Sequence, residues 1–236
     1  MYLIVRAANR LLKHAGLRIQ PITKFKLAIE ALIRENKSIK FIQVGANDGI
    51  RFDDLFFTVT YHRWKGIVIE PLPDIFLKLA ANYQDYPDVI PLNLAIHPSN
   101  RSASIYYVDK KILLKYPDWV AGSASMSKTH LIKAGVSDED ISERTVECKS
   151  LMEIAKNHDL PDIDLLQIDT EGFDFEIIKS IDFKELKPRL IKFEWMNLSA
   201  NDQKDVSVLL IQNGYKFFVE KGGADCVAWL ADKLNI

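Results

Sequence analysis

Residues 41–49, with the sequence FIQVGANDG, lead from an apolar strand into a tight turn that is bounded by Gly45 and Gly49. Glycines in such a turn let the backbone approach a ligand where a Cβ atom would clash. A dinucleotide-binding turn has the pattern G-x-G-x-x-G, which, counted from Gly45, requires glycines at positions 47 and 50. The chain has Asn47 and Ile50 there. The segment therefore predicts the first strand of a parallel sheet and a ligand-binding turn that is not of the dinucleotide type.

Apolar strands and helices alternate along the rest of the chain. The predicted strands cover residues 40–44, 66–70, 89–96, 164–168, 189–194, 215–219 and 226–230, and the predicted helices cover residues 23–36, 75–83 and 150–158. Continuous apolar strands separated by helices are typical of a parallel sheet that is covered on both faces. Right-handed crossovers then give an α/β fold with a doubly wound, mostly parallel seven-stranded sheet, in which the last two strands form an antiparallel pair.

The third and fourth strands are separated by roughly 65 residues, which is long for a simple crossover. Within this interval residues 102–108 predict an added strand. Residues 145–149 predict an edge strand before Ser150, the expected cap of helix 150–158. A loop of small residues, GSASMS at 122–127, lies between them. We therefore expect a β-containing insertion between strands 3 and 4 that forms a lid or a binding surface.

The composition is that of one soluble α/β domain. The chain has 236 residues, of which 48% are hydrophobic and 27% charged, and two complete domains would be cramped in that length. We assign residues 39–236 to this domain and residues 1–38 to an N-terminal helical extension. The formal net charge of -1 provides no global field that would attract nucleic acid. Cys148 and Cys226 form neither a disulfide framework nor a zinc site, and they indicate reduced thiols in a cytoplasmic protein.

The N-terminal segment is basic, since residues 1–29 contain six basic residues and no acidic residue. Arg6 and Arg10 interrupt the first apolar run, so neither a transmembrane helix nor a signal peptide is expected. One helical stripe of the segment consists of Leu3, Ala7, Leu11 and His14. Two interpretations remain open. Residues 1–20 form an amphipathic helix that contacts an anionic membrane or a partner, or they form a helix that docks on the domain or frays.

Ligands of open parallel sheets bind outside the carboxyl ends of the strands, and Glu70 falls at such an end. It lies 21 residues after Gly49, where a carboxylate can accept hydrogen bonds from both hydroxyls of an adenosine ribose. The alternative is an ordinary surface glutamate. Asp48 would repel a pyrophosphate in the turn, whereas S-adenosylmethionine (SAM) has no phosphate and carries a sulfonium cation. We therefore interpret the turn as a SAM-binding turn.

Asp169 and Glu171 follow the fourth strand in the segment DLLQIDTEG, residues 164–172. Carboxylates at this edge can orient a substrate hydroxyl, act as a general base or ligate a divalent cation. The structural alternative is that Asp169 or Thr170 caps the next helix. We predict that the two acids take part in the site without a metal. Histidine suits the uptake of a hydroxyl proton, and His130, which follows the serine loop, is the preferred base.

Six segments of the chain, in their order and spacing, resemble the FkbM family of SAM-dependent methyltransferases: FIQVGANDG, IVIEP, NLAI, GSASMS, DLLQIDTEGFDFEIIKSI and LIKFEW. The resemblance runs from about residue 39 to the C-terminus. It implies a class I, Rossmann-like methyltransferase fold and methylation of a hydroxyl group, commonly on a sugar or a natural product. Gln43 stands where the family's pattern F-I-D-V-G-A-N has an acid, which removes a charge beside the turn.

The motifs together assign the residues of the site. The predicted cofactor-binding residues are Gly45, Ala46, Asn47, Gly49, Glu70, Pro71, Asn93, Ala95 and Asp169. The predicted catalytic residues are His130, Asp169, Glu171 and Glu194. We expect His97 near the adenine pocket. Candidates for hydrogen bonds to a polyol acceptor are Ser123, Ser125 and Ser127.

The sequence favours a cytoplasmic O-methyltransferase that uses SAM and acts on a hydroxyl of a sugar, a polysaccharide or a glycosylated natural product. No nucleic-acid partner is expected. Two alternatives belong to other classes. A non-catalytic SAM-fold binding module, for example a subunit recruited to a membrane by its basic N-terminus, would not need the predicted catalytic residues. A NAD-dependent oxidoreductase would need the glycines that positions 47 and 50 lack.

Overall fold

The computed structural model describes residues 22–35 and 38–234, which form a central sheet flanked by helices and a smaller second sheet. The strands, in chain order, are β1 (Lys40–Val44), β2 (Lys65–Ile69), β3 (Val89–Leu92), β4 (Ala95–Ile96), β5 (Ser102–Val108), β6 (Ile141–Lys149), β7 (Leu165–Ile168), β8 (Leu190–Glu194), β9 (Tyr215–Val219) and β10 (Asp225–Leu230). The α-helices are α1 (Lys24–Glu35), α2 (Phe56–His62), α3 (Pro73–Asn82), α4 (Lys128–Lys133), α5 (Leu151–Asn157), α6 (Asp174–Lys179) and α7 (Ala200–Gln212). Short 3-10 helices cover Leu113–Lys115, Asp118–Gly122 and Asp138–Asp140.

The central sheet has the strand order β3-β2-β1-β7-β8-β10-β9. Its strands are parallel except β10, which runs antiparallel to both β8 and β9. The prediction of a doubly wound, mostly parallel seven-stranded sheet with an antiparallel pair at its end is therefore confirmed. The strand order reverses between β1 and β7, and the carboxyl ends of these two strands form the switch point at which ligands of such sheets bind.

Alternate side chains of the strands enter two separate apolar cores. Ile42 and Val44 of β1 pack in one core with α5, α6 and α7. Phe41, on the opposite face, packs in the other core with α1, α2 and α3. Each face of the sheet is therefore covered by helices, as the continuous apolar strands predict.

The third predicted strand is divided in the structure. β3 ends at Leu92, and after two residues the chain continues as β4, which leaves the central sheet and pairs with β6. The side chain of Asn93 donates hydrogen bonds to the backbone oxygens of Glu70 and Pro71, at 2.9 and 3.0 Å. These bonds hold the chain across the end of β2. The prediction of one continuous strand over residues 89–96 is therefore wrong at its centre.

The insertion forms the second sheet, with the order β4-β6-β5. β6 lies in its centre because β4 pairs with one side of it and β5 with the other, so the prediction of an edge strand over residues 145–149 is wrong. The four additional residues 141–144, with the sequence ISER, are mostly polar and show little of the apolar pattern of a strand. The predicted cap is confirmed, since Oγ of Ser150 accepts a hydrogen bond from the amide of Glu153 at 3.1 Å.

Helix α1 confirms the helix that is predicted over residues 23–36, and it buries Phe25, Ala28 and Leu32 in the core that it shares with α2 and α3. The predicted contact of residues 1–20 with a membrane or a partner lies outside the described residues. None of the helices in the described ranges combines the length and the hydropathy that spanning a membrane requires.

Candidate active site

A cavity of about 210 Å³ opens at the carboxyl ends of β1, β2 and β7. We call it the first cavity. It brings together seven of the predicted site residues: Gly45, Asn47, Glu70, Pro71, Ala95, Asp169 and Glu171. These residues come from the turn after β1, the end of β2, the start of β4 and the segment after β7. The cavity therefore occupies the switch point of the central sheet.

The turn after β1 is built on glycine for a structural reason. Gly45 has a φ of +78°, and a Cβ atom on it would lie 1.7 Å from the backbone oxygen of Asp169. The backbone oxygen of Ile69 accepts hydrogen bonds from the amides of Gly45 and Ala46, at 3.0 and 2.9 Å. A Cβ atom on Gly49 would collide with α3. Ala46 and Gly49 are not among the residues that line the cavity, and their part in cofactor binding stays a prediction.

Glu70 follows β2 and is only 5% exposed. Its Oε1 accepts a hydrogen bond from the amide of Leu72 at 2.8 Å. Burial raises the pKa of Glu70 to about 7, while the backbone amides of Leu72 and Asn47 act in the opposite direction. Asn93 lies outside the cavity and supports this segment through its bonds to the backbone. Glu70 thus presents a carboxylate in a protected part of the cavity, where a ligand hydroxyl would find an acceptor.

Acidic side chains crowd the ends of β7 and β8. Asp169 faces the cavity with its accessible surface, and desolvation, followed by the charges of Asp174 and Glu171, raises its pKa to about 8. Glu194 ends β8 outside the cavity lining, and desolvation together with the same acidic neighbours raises its pKa to about 9. Its Oε2 is buried and has no hydrogen-bond partner among the described residues. Carboxylates packed this closely repel one another, so the region favours a proton or a bound cation.

Asp174, which reasoning from the sequence missed, organises the segment after β7. It is completely buried, and its carboxylate accepts hydrogen bonds from the amides of Thr170 and Glu194, at 3.1 and 2.9 Å. These bonds tie the ends of β7 and β8 together. Helix α6 begins after Phe173, so the structural alternative, in which Asp169 or Thr170 caps this helix, does not hold. No local pattern marks Asp174, because one of its partners lies on another strand.

Glu171 lies in the cavity wall and is held from behind by two side chains. Its Oε2 lies 3.0 Å from Nε2 of His130 and accepts a hydrogen bond from Nδ2 of Asn197 at 3.0 Å. The same Nδ2 donates to Oε1 of Glu194 at 2.6 Å, so Glu194 joins the network. No side chain of the described ranges donates to Oε1 of Glu171. His130 does not line the cavity itself. It contacts the carboxylate of Glu171, which does line the cavity.

The three serines of the loop and His97 differ in where they lie relative to the first cavity. Oγ of Ser125 donates to the backbone oxygen of Glu171 at 2.8 Å, which fixes the insertion to the segment after β7. Ser123 lines the first cavity, and Ser127 is exposed. His97 directly follows β4, but its ring stacks on Phe173 at 5.3 Å and does not line the cavity. Of the three serines, Ser123 is thus the one that lines the first cavity, and its hydroxyl donates a hydrogen bond to the backbone oxygen of Trp119 at 3.3 Å.

Apolar side chains form one wall of the first cavity and two aromatic rings form its rim. The wall consists of Ile69, Ile75, Leu94, Ile96, Ile105 and Met126. Phe52 and Trp119 line the rim and are 54% and 47% exposed. Arg51 forms an ion pair with Asp118, and a Cβ atom on Gly122 would lie 3.1 Å from the ring of Phe52. The turn after β1 and the insertion therefore contact each other at the mouth of the cavity.

The charged residues that line the first cavity are Glu70, Asp169 and Glu171, and no lysine or arginine of the described chain joins them. Such a lining disfavours a phosphate and favours a cation. SAM matches this chemistry because it has no phosphate and carries a sulfonium and an ammonium group. Glu70 would accept hydrogen bonds from its ribose hydroxyls, and the apolar wall would hold its adenine. Within the described ranges, no cluster of three or more histidine, cysteine or acidic side chains has the arrangement of a metal site.

A family model described as the methyltransferase FkbM domain matches residues 43–217 of the chain. The chain belongs to the FkbM family of methyltransferases. This FkbM protein is therefore a SAM-dependent methyltransferase, and the cavity at its switch point is the place where the residues present fit the cofactor. No curated protein matches the chain.

Solved methyltransferase structures are similar to this FkbM protein at low sequence identity. An FkbM methyltransferase from Methylobacillus flagellatus KT is 13% identical with a TM-score of 0.49, and the match covers 82% of this chain but only 44% of that one. The N-terminal domain of human METTL16 in complex with SAH is 15% identical with a TM-score of 0.48, over 95% of this chain and 80% of that one. A precorrin-6y C5,15-methyltransferase from Geobacter metallireducens GS-15 is 13% identical with a TM-score of 0.44, over 87% and 86%.

Proposed function

We propose that this FkbM methyltransferase transfers the methyl group of SAM to a hydroxyl of a sugar, a polysaccharide or a glycosylated natural product. Family membership supports methyl transfer, and the resemblance of the sequence motifs favours oxygen as the acceptor atom. The observation that carries the chemistry is the side chain of Glu171. Its Oε2 is held by His130 and Asn197, while no described residue donates a hydrogen bond to its Oε1 at the wall of the cavity.

Methylation of a hydroxyl requires in-line alignment of the acceptor oxygen and removal of its proton. When bound, SAM supplies a methyl group that its sulfonium activates. Glu171 would accept the hydroxyl proton on Oε1, since Oε2 is already engaged with His130 and Asn197. His130 is then a positioning residue that stands behind Glu171. The arrangement of Asp169 at the end of β7 suits the cationic part of the cofactor.

The rim of the first cavity supports an acceptor that is part polar and part apolar. Exposed aromatic side chains beside polar groups are typical of ligand-binding grooves. Phe52 and Trp119 offer such rings, and Ser123 lines the same cavity. A sugar ring presents both C–H faces and hydroxyl groups, so it matches this combination.

Glu171→Gln removes the proton acceptor and keeps the size of the side chain. We expect the rate of methyl transfer to fall by about 100- to 10,000-fold, the usual contribution of a positioned base, with little change in SAM affinity. The rate is measured as transfer of a tritiated methyl group from SAM to a panel of monosaccharides, uronic acids and methyl glycosides. SAM affinity is measured separately by calorimetry. Glu185→Gln, which changes an exposed glutamate far from the cavity lining, is the matched control.

Two outcomes contradict the proposal. Transfer by Glu171→Gln at the wild-type rate would remove the role of Glu171, and a wild type that binds SAM but methylates no member of the panel would remove the acceptor class. The same assay tests the alternative of a non-catalytic binding module, which would bind SAM weakly and transfer no methyl group. The acidic lining of the first cavity gives no support to a NAD-dependent oxidoreductase.

A further inference from the structure

A second cavity of about 290 Å³ lies beside the first, between the turn after β1, helix α3 and the insertion. Asn47, Ile75 and Ala124 line both cavities and therefore form the boundary between them. A ligand that spans this boundary would reach from the SAM site into the second cavity. The residues that line the second cavity therefore indicate which chemical groups the acceptor has in addition to its reacting hydroxyl.

Basic side chains dominate the charged lining of the second cavity. They come from the turn after β1, from α3, from the segment after β5 and from β6, and they are Arg51, Lys78, Lys110 and Arg144. Arg51 is engaged in its ion pair with Asp118. Lys78, Lys110 and Arg144 form no ion pair within the described ranges. Three cations from three separate elements thus face one cavity, and none of them is held in an ion pair by a described residue.

The acidic residues of the second cavity do not balance these cations. Asp48 lines it, but its Oδ1 already accepts hydrogen bonds from the amides of Ile50 and Arg51, at 3.0 and 2.7 Å. Asp74, in the first turn of α3, is the other acid of the lining. With Arg51 paired to Asp118, the two acids offset two of the three remaining cations, so the lining keeps a net positive charge of one.

Arg144 is the best placed of the three cations for specific binding. It lies on β6, the central strand of the insertion sheet, and it is half-buried, whereas Lys78 and Lys110 are exposed. A guanidinium group offers paired N–H donors that match a carboxylate or a phosphate. The ring of Tyr107 and the side chains of Leu72 and Val120 complete a partly apolar enclosure. Such surroundings strengthen the attraction between Arg144 and an anion.

We propose that the second cavity binds an anionic group, a carboxylate or a phosphate, of the methyl acceptor. This inference rests on the proposed function and narrows its acceptor to an acidic sugar or a sugar phosphate. The charged lining of the first cavity is acidic and that of the second is mainly basic, which suits a cationic cofactor in the first and an anionic group of the acceptor in the second. In the first, Glu70 and Asp169 offer carboxylates to the cationic cofactor, and in the second three cations that form no ion pair within the described ranges face the anionic group of the acceptor.

The test compares neutral and anionic members of matched sugar pairs, namely glucose with glucuronate and with glucose 6-phosphate, and galactose with galacturonate and with galactose 6-phosphate. Calorimetric titrations use the full chain loaded with S-adenosylhomocysteine, and inorganic phosphate alone is titrated as the free anion. We expect at least one anionic sugar to bind about tenfold or more tightly than its neutral counterpart. Arg144→Gln combined with Lys78→Gln should abolish that preference. Lys133→Gln, an exposed lysine outside the cavity, should leave it intact.

Equal binding of the neutral and anionic sugars, no binding of either, or a preference that survives the double substitution would overturn the inference. Inorganic phosphate that binds as tightly as the sugar phosphates would overturn the assignment of the anion to the acceptor. SAM affinity of the double variant, measured in parallel, should equal that of the wild type and shows that the variant is folded. Anion-dependent binding without methyl transfer to any sugar would refute the proposed function and leave the anion site in place, so the two failures are distinguishable.

Discussion

Glu171 adopts a left-handed backbone conformation, with a φ of +55°, at the wall of the first cavity. Asn47 and Phe52, which line the same cavity, have φ values of +48° and +61°. Such conformations cost on the order of 1–3 kcal/mol each and persist only where the surroundings enforce them. For Glu171 the hydrogen bond from Ser125 to its backbone oxygen is part of that enforcement. Backbone strain is thus concentrated where the structure would hold its ligands.

Glu194 allows a test of the acidic cluster through stability. Its pKa is raised from 4.5 to about 9, so its contribution to stability is fully present below about pH 4.5 and is lost as the pH rises to about 9. Glu194→Gln removes the charge. It should therefore raise the free energy of unfolding of the ligand-free protein at pH 9 by about 1–3 kcal/mol, the cost of a buried group without a partner. In thermal denaturation the melting temperature of the variant should exceed that of the wild type by roughly 2–4 °C for each kcal/mol. This difference in melting temperature should vanish near pH 4.5.

Glu185→Gln serves as the control for this measurement, because it replaces an exposed glutamate and should leave the pH profile unchanged. A Glu194→Gln variant that is less stable than the wild type at every pH would show that the charge of Glu194 does not oppose folding. The same cluster should then be reinterpreted as a purely structural network.

Individual residues could be predicted from the sequence where a strand end decides their place. Glu70, Asp169 and Glu171 follow apolar strands, and all three line the first cavity. Asp174 and Asn197 could not be found in this way. Each has a partner that lies 20 or more residues away in sequence, Glu194 for Asp174 and Glu171 for Asn197, and only the folded chain brings them within hydrogen-bond distance.

At the scale of the elements, the turn after β1 offers a prediction with a matched control. Gly45 and Gly214 have similar φ values, +78° and +85°, but a Cβ atom on Gly214 would meet nothing within 4 Å. Gly214→Ala should therefore cost only the backbone strain, about 1–2 kcal/mol. Gly45→Ala adds a clash with the backbone of Asp169 and should cost on the order of 3 kcal/mol or more. It should also abolish SAM binding.

Urea denaturation of the two glycine variants measures this difference, and calorimetric titration with SAM measures the second effect. Equal losses of stability in both variants would contradict the close approach of the turn to the segment after β7. Normal SAM binding by a folded Gly45→Ala variant would contradict the role of the turn in the site.

The elements of the central sheet could be predicted because its strands are apolar over their whole length. The strands of the insertion were predicted less accurately, because β4 has only two residues and the first half of β6 is polar. A row of buried polar residues across the sheet could not be predicted from the sequence either. Gln43, Gln167 and Lys192 are register partners on β1, β7 and β8, and Lys192 reaches Asp54 at 2.7 Å. The hydrogen-bond and ion-pair partners of such residues lie partly in loops, and the apolar pattern of the strands does not predict where those loops lie.

At the scale of the whole molecule, one fold places two neighbouring cavities of opposite charge on one side of the sheet. The order of strands and helices was sufficient to predict the switch point, and the turn after β1, Glu70 and the family resemblance were sufficient to predict the cofactor. It was not sufficient to predict the second cavity, because this is formed by the insertion against α3 and the turn after β1. The contacts between these segments join residues far apart in sequence, such as Arg51 and Asp118. The acceptor side of the site therefore depends on tertiary packing that no single motif encodes.

Calorimetric titration of the full chain with SAM and with NAD(H), for the wild type and for Glu70→Gln, tests whether the first cavity is a SAM site. We expect the wild type to bind SAM and not to bind NAD(H). Glu70→Gln should weaken SAM binding by about 10- to 100-fold, because hydrogen bonds to a charged acceptor contribute roughly 1.5–3 kcal/mol. A wild type that does not bind SAM would contradict the account, and unchanged affinity in Glu70→Gln would contradict the assignment of Glu70 to the ribose.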